Sequence, residues 1–286
     1  MHLERVETDA RFCTICYKMC RHVCTVGTVT RSEADLPNVR AELAVRALER
    51  GGFTPEEAAR MYRCCTCRLC RAWCEPGWDV ASVVLAARQD IVAAGLAPAA
   101  AVTVNDNVVD LGNPQGEPHT AKGEALREIM GEHLEEHSAN AETLLFFGCT
   151  TLLRQPEIAR AAVRVLDALG VEFAVLPDEP CCGEPQYLLG FVDQARETAR
   201  RTMTAIEESG ARQVLFTCPS CLKLFAQEYP AWGLPRPENI AFLHLSQFLA
   251  TRENNGLQEN NGSLSALIHK QQAASSNPQS PIRTAY

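Results

Sequence analysis

From residue 37 to residue 94 the apolar positions recur at helical spacing. The stretch "PNVRAELAVRALERGG" opens on proline and stops at two glycines, the usual ends of a helix. "TPEEAARMYR" offers Thr54 as N-cap, Pro55 at the first helical position and Glu57 where a capping box closes. Over residues 78–94, Val80, Val83, Val84, Ala87, Ile91 and Ala94 share one face. No apolar run before residue 140 has strand character, so this half is predicted all-α. Residues 95–120, rich in Gly, Pro and Asn, predict a linker around the turn "NPQGEP", and residues 121–139 a polar helix charged almost all round.

The period then changes. "TLLFF" (143–147), "VEFAVL" (171–176), "QVLF" (213–216) and "IAFL" (240–243) are short apolar runs of the kind found in buried parallel strands. Helical patterns separate them. One spans 156–170 with Ile158, Ala161, Ala162, Val165, Leu166 and Leu169 on its apolar face. Another spans 184–209 with Leu188, Val192, Ala195, Ala199, Thr202 and Ile206. Strand alternating with helix predicts a right-handed βαβ sheet. From Thr251 the chain turns rich in Asn, Gln and Ser, a composition that predicts disorder. The expected fold class is α/β overall: a helical module over 1–95, a linker and helix over 96–140, an α/β domain with a parallel sheet over 141–250, and a tail over 251–286.

Composition narrows the chemistry. Of 286 residues 46% are hydrophobic, and no apolar run reaches the ~18–20 residues of a membrane helix. The opening "MHLERVETDARF" is charged and lacks the apolar segment of an export signal, which predicts a cytoplasmic protein. A net charge of −8 speaks against nucleic acid as a partner. In a reducing compartment, fourteen cysteines point to metal or redox chemistry rather than disulfides. Arg11, Lys18 and Arg21 flank the first cysteine group, and Arg60, Arg63, Arg68 and Arg71 the second. The preferred reading is that they offset thiolate charge; docking an acidic partner is the other.

Cys64, Cys67, Cys70 and Cys74 have the spacing C-x2-C-x2-C-x3-C, the bacterial ferredoxin run in which three cysteines hold one 4Fe–4S cluster and the fourth holds its neighbour. Cys13, Cys16, Cys20 and Cys24 repeat the device with one extra residue. The expected ligand sets therefore cross: Cys13, Cys16, Cys20 and Cys74 on one cluster, Cys64, Cys67, Cys70 and Cys24 on the other. Cys65 is left over, because adjacent side chains diverge, and is expected to be a buried bystander. Zinc sites show paired C-x2-C units, which two runs of four fit poorly. Both runs lack the proline that usually follows the last ferredoxin cysteine: Thr25 and Glu75 stand there. "HLEEH", His133 to His137, matches a zinc-peptidase pattern, but a solvated helix is the preferred reading.

The third group follows the predicted strands. Cys149 comes after "TLLFF", Cys181 and Cys182 after "VEFAVL", and Cys218 and Cys221 after "QVLF". Parallel strands align their carboxyl ends, so these five sulfurs are expected at one sheet edge. His244 ends the fourth strand, where a capping or core role is preferred to ligation. Gly183 and Pro219 would permit close backbone approach and a fixed turn.

Cys149, "CCG" at 181–183 and "CPSC" at 218–221 resemble the cysteine-rich CCG domain of heterodisulfide reductase and of the iron–sulfur subunits of glycolate, lactate and anaerobic glycerol-3-phosphate dehydrogenases. The two ferredoxin-type runs are similar to the dicluster module that precedes it in many of those subunits. The resemblance covers residues 10–250. It implies a third iron–sulfur cluster at Cys149, Cys181, Cys182, Cys218 and Cys221, with cubane and noncubane forms both open. Many relatives carry two CCG domains; this chain shows one. The implied function is an electron-transfer subunit of an oxidoreductase. Its partner would be a flavoprotein dehydrogenase or electron-transfer subunit, since no G-x-G-x-x-G fingerprint is present. A quinone-linked membrane subunit would be a further partner, holding the chain peripherally at the inner face of the cell membrane. Two alternatives stand beside it: a catalytic subunit whose CCG-bound cluster cleaves a disulfide, and a zinc-stabilised interaction module. The sequence assigns no catalytic residue.

Overall fold

A computed structural model describes residues 1–131, 134–137 and 141–255. It divides into two compact units, Met1–Asp110 with Pro185–Ala195, and Leu111–Glu184 with the chain from Arg196 onward.

The described residues of the first unit are helical. In chain order they form α1 (Glu7–Ile15), α2 (Thr25–Thr30), α3 (Pro37–Arg50), α4 (Pro55–Met61), α5 (Leu69–Ala72), α6 (Val80–Ala93) and most of α7 (Ala99–Leu111). α4 is closed by the predicted capping box, with Thr54 and Glu57 satisfying each other's backbone. α6 starts at Asp79, whose Oδ1 accepts from the amides of Ala81 and Ser82 at 3.0 and 3.3 Å. The core gathers Leu43, Ala44 and Ala47 of α3, Met61 of α4 and Val83, Val84, Ala87 and Ile91 of α6. Ala94, expected on the buried face, is exposed at the helix end.

α7 corrects the predicted linker. Ala101, Asn105 and Val108 are its buried stripe, and Asn105 Oδ1 accepts from Gln186 Nε2 at 3.1 Å. The single helix predicted over 184–209 is two, α12 (Glu184–Leu189) and α13 (Val192–Glu208). The break falls at Gly190, whose φ is +94°. A Cβ there would stand 2.6 Å from the backbone carbonyl of Arg88, so only glycine fits.

The second unit holds α8 (Ala121–Met130), α9 (Leu134–His137), β1 (Thr143–Phe146), α10 (Cys149–Leu153), α11 (Pro156–Ala168), β2 (Gln213–Phe216), α14 (Pro219–Lys223), α15 (Tyr229–Ala231), β3 (Ala241–His244) and α16 (Leu245–Asn255). The strands form a parallel sheet in the order β1-β2-β3, with Leu145 opposite Leu215 and Leu215 opposite Leu243. Both faces are covered. Leu145, Leu215 and Leu243 pack with α8 and α11, while Phe146, Phe216 and Phe242 meet Phe225 on the other side. This explains why the strands read as unbroken apolar runs.

Four expectations change here. The segment 171–176 is not a strand: it makes one parallel bridge, Ala174 to Leu144. The pairing does not run on: the Phe147 amide, which the next step of the ladder would use, donates to the Glu179 carboxylate instead. α8 is not polar all round, since it buries Lys122, Leu126 and Met130. α11 buries Ala159, Ala162 and Leu166, leaving Ile158, Val165 and Leu169 exposed. Residues 251–255, expected to open the tail, continue α16 to Asn255; the remainder lies outside the described residues. So does His133 of "HLEEH"; His137 stacks on Phe173 with ring centroids 4.1 Å apart. Among the described residues, no helix is long and apolar enough to cross a membrane.

Candidate metal centres

The two N-terminal cysteine runs are built alike. In the first, Lys18 takes a left-handed conformation (φ +63°), a short 3-10 helix Met19–Val23 carries Cys20, and the chain leaves it at Cys24 in extended conformation. In the second, Arg68 is left-handed (φ +59°), α5 carries Cys70, and Cys74 follows the helix end. Thr66, between Cys64 and Cys67, is left-handed too (φ +53°). Such conformations cost a non-glycine residue roughly 1–2 kcal/mol. Three within loops that space cysteines mark backbone bent to place sulfurs.

Two cavities result. One, open to solvent, is lined by Cys24, Cys64, Cys65, Cys67 and Cys70, with Arg40. The other is lined by Cys13, Cys16, Cys20, Cys70 and Cys74, with Asn38. Each cavity takes the last cysteine of the other run, and Cys70 borders both. Backbone amides already point at sulfur: Gly27 N donates to Cys24 Sγ and Thr66 N to Cys64 Sγ, both at 3.4 Å. Burial, and then neighbouring thiols, push Cys13 and Cys70 up to about 12. Burial likewise raises Cys20 and Cys64. Thiols crowded this way ionise readily only when a cation shares the site.

Cys65 is exposed, not buried as expected, and its Sγ lies 3.5 Å from Thr25 Oγ1. The surface arginines are also placed differently from the expectation. Arg11 pairs with Glu7 and Glu49, Arg21 with Glu33, Arg60 with Glu56, Arg63 with Asp35 and Arg68 with Asp79. Their charge is largely spent on carboxylates. Arg68 and Lys18 do line the two cavities, and beside them stand buried cations that the sequence pattern does not flag. Arg88 donates to the carbonyl oxygens of Met61, Cys64 and Leu188 at 3.0, 2.5 and 2.6 Å, fixing the loop that begins the second run. We expect Cys65→Ser to retain near-normal iron after anaerobic reconstitution and Cys64→Ser to lose one cluster; equal iron loss in both would show that Cys65, too, is a ligand.

In the second unit Cys149, Cys181, Cys182 and Cys221 are buried and Cys218 is half-buried. Their thiols form one chain of contacts, Cys149 to Cys181 to Cys182 to Cys221 to Cys218. Cys182 Sγ and Cys221 Sγ are 3.2 Å apart. The hydrogen bonds from Cys181 and then Cys221 hold Cys182 down at about 6, and the one from Cys221 holds Cys218 at about 6. Cys149 and Cys221, as the donating partners in buried positions, are raised. Gly148 (φ +83°) lets β1 turn into α10 beneath this group; a Cβ on it would stand 3.2 Å from Cys221 Sγ. Gly183, also at positive φ, donates from its amide to Cys181 Sγ at 3.5 Å. Pro219 takes the first position of α14.

A buried carboxylate and a buried ammonium support the turn, each held by backbone groups. The Glu179 carboxylate accepts from the amides of Phe147 and Gly148 at 2.7 and 2.6 Å, and burial lifts it to about 7. Lys122 Nζ donates to the carbonyls of Gly112, at 3.0 Å, and of Glu179, and lies 4.0 Å from Cys149 Sγ. His244, at the sheet edge, is held by Ser246 Oγ at 2.7 Å and the carbonyl of Thr217 at 3.2 Å, a local bonding role. Among the described residues, no three His, Cys, Asp or Glu side chains converge on one point as a single metal ion requires. In the first unit the sulfurs stand round cavities, the arrangement suited to a group with several metal atoms, each capped by its own ligand.

Comparison with known proteins adds a family to the second unit. Residues 143–225 match the model of the CCG cysteine-rich domain. A component of the dihydromethanophenazine:CoB–CoM heterodisulfide reductase of Methanosarcina barkeri is 31% identical over 197 residues, covering 66% of this chain and 46% of that one. An uncharacterised iron–sulfur protein of Methanococcus maripaludis is 24% identical over 195 residues, 65% of this chain and 39% of that one. A component of the anaerobic glycerol-3-phosphate dehydrogenase of Escherichia coli is 32% identical over 92 residues, 31% of this chain and 23% of that one. The chain thus spans less than half the length of these relatives. No solved structure matches it.

Proposed function

We propose that this chain, which carries a CCG cysteine-rich domain and is homologous to iron–sulfur subunits of oxidoreductases, relays electrons between a flavoprotein partner and an acceptor. Two 4Fe–4S clusters would be held in the first unit, one by Cys13, Cys16, Cys20 and Cys74, the other by Cys64, Cys67, Cys70 and Cys24. A third iron–sulfur centre would be held by Cys149, Cys181, Cys182, Cys218 and Cys221. The observation that carries the reading is the pair of cysteine-lined cavities, each fed by both runs, in a chain that also carries the CCG motif. When bound, such clusters supply one-electron transfer without bond rearrangement. The residues of the chain would exclude water, aim amide N–H groups at sulfur and set the local charge. Free cysteines in this number suit a cytoplasmic setting, with a quinone-linked membrane subunit as a further candidate partner.

The test is anaerobic reconstitution followed by iron and sulfide analysis and spin resonance of the reduced chain. Equal iron and sulfide, with two interacting cubane signals and a third distinct signal, is the expected result. Zinc in place of iron, with no visible spectrum, would overturn it. A second reading, disulfide cleavage at the five-cysteine centre, is favoured by the similarity to the heterodisulfide reductase component. It requires two electrons and two protons per disulfide, yielding two thiols. Turnover of a disulfide by the chain with a reduced viologen dye would establish it over the relay.

A further inference from the structure

The first turn of α3 stands between the two cavities. Pro37 and Arg40 line the cavity of Cys24, Cys64, Cys67 and Cys70, while Asn38 lines that of Cys13, Cys16, Cys20 and Cys74. The turn has no side-chain cap and no acidic residue to answer the positive end of the helix dipole. Arg40 is 1% exposed, yet neither its Nε nor its Nη2 has a hydrogen-bond partner. Asn38 is 9% exposed, and its Oδ1 is unpartnered. An unpaired buried guanidinium costs several kcal/mol unless an anion meets it. The surface arginines of this unit have carboxylates for that purpose, and Arg88 has three carbonyls. Arg40 has a cavity ringed by sulfur.

We propose, resting on the cluster assignment above, that Arg40 and the uncapped start of α3 are the counter-charge of the cluster held by Cys24, Cys64, Cys67 and Cys70. On this proposal they raise its potential above that of its neighbour, making it the point where an electron rests between the two. A 4Fe–4S group with four thiolates is anionic, and one-electron reduction adds a further negative charge while no bond forms or breaks. A fixed cation beside it favours the reduced state. The neighbouring cavity has only the neutral Asn38 amide in the equivalent place. Lys18 lines that cavity too but is partly exposed, where water and salt screen it. Asn38 would then turn its amide N–H toward the sulfurs, since amide orientation follows the partner available.

The experiment is a potential titration of the full chain, reconstituted anaerobically and read by spin resonance, for wild type, Arg40→Met and Arg40→Lys. Cys67→Ser identifies which signal belongs to the Arg40 cavity, because Cys67 lines that cavity alone. The midpoint of that signal is expected to fall in Arg40→Met, to fall much less in Arg40→Lys, and the other midpoint to move little. No shift, an equal shift of both midpoints, or a shift as large in Arg40→Lys as in Arg40→Met would overturn the proposal. If Arg40→Met cannot hold the cluster, Arg40→Lys decides: retention with a small shift supports a charge role, and loss there too would make Arg40 a structural strut. A wild-type chain without cubane signals would remove the cluster assignment itself, a failure distinct from any of these.

Discussion

Cys24→Ala is expected to remove the cluster proposed for Cys64, Cys67 and Cys70 and to spare the one proposed for Cys13, Cys16 and Cys20, although Cys24 belongs to the first run. The reason is the geometry of a short helix. Cys20 sits in Met19–Val23, and the chain leaves that turn at Cys24 with ψ at 106°, carrying the sulfur away from Cys13 and into the other cavity. There Cys24 is 8% exposed, with its sulfur accepting from the Gly27 amide. Cys74, four residues after Cys70, makes the mirror-image move. Cys74→Ala should therefore abolish the other signal. Iron content and reduced-state spin resonance of the two variants measure this. Loss of the same signal in Cys24→Ala and Cys13→Ala would sink the crossed assignment.

What is legible in the sequence follows from which features repeat along the chain and which depend on distant partners. β2 stands at the residues whose pattern predicts it, because four buried positions in a row, flanked by turns, fit little but a covered strand. The capping box of α4 is local and equally legible. The segment 171–176 is misleading: its residues are buried as a strand's would be, but a strand also needs a continuing partner, and sequence does not show one. α7 is hard to see because its valines and asparagines are weak helix formers, although Pro98 before it and Gly112 after it are end signals. The buried cations near the cysteines escape pattern reading for one shared reason. Arg40 lies in the buried stripe with Ala44 and Ala47, and Lys122 in the stripe with Leu126 and Met130. A cation in an apolar stripe announces a buried counter-charge, and it is a sharper signal than the arginines next to cysteines in sequence, most of which pair with carboxylates. Glu179 has no such signal, since its role depends on the amides of Phe147 and Gly148, thirty-odd residues away.

Cys182→Ala is expected to abolish the third centre and leave both cubane signals intact. Cys182 is the middle of the chain of five thiols, touching Cys181 on one side and Cys221, at 3.2 Å, on the other. Its backbone is pinned as firmly as its sulfur, with Tyr229 Oη donating to its carbonyl at 2.7 Å and Thr202 Oγ1 donating to the carbonyl of Cys181 at 2.8 Å. Alanine therefore removes the central sulfur without freeing the loop to bring in another. The hydrogen bonds from Cys181 and then Cys221 also favour its thiolate, the form that ligates metal. The eight cysteines of the two N-terminal runs, with Cys65, belong to the other compact unit. Spin resonance of the reduced variant, beside wild type prepared in the same way, decides the matter. Near-complete loss of the third signal alone is the expected result; loss of the cubane signals with it, or retention of all three, would mean that the five cysteines do not act as one site.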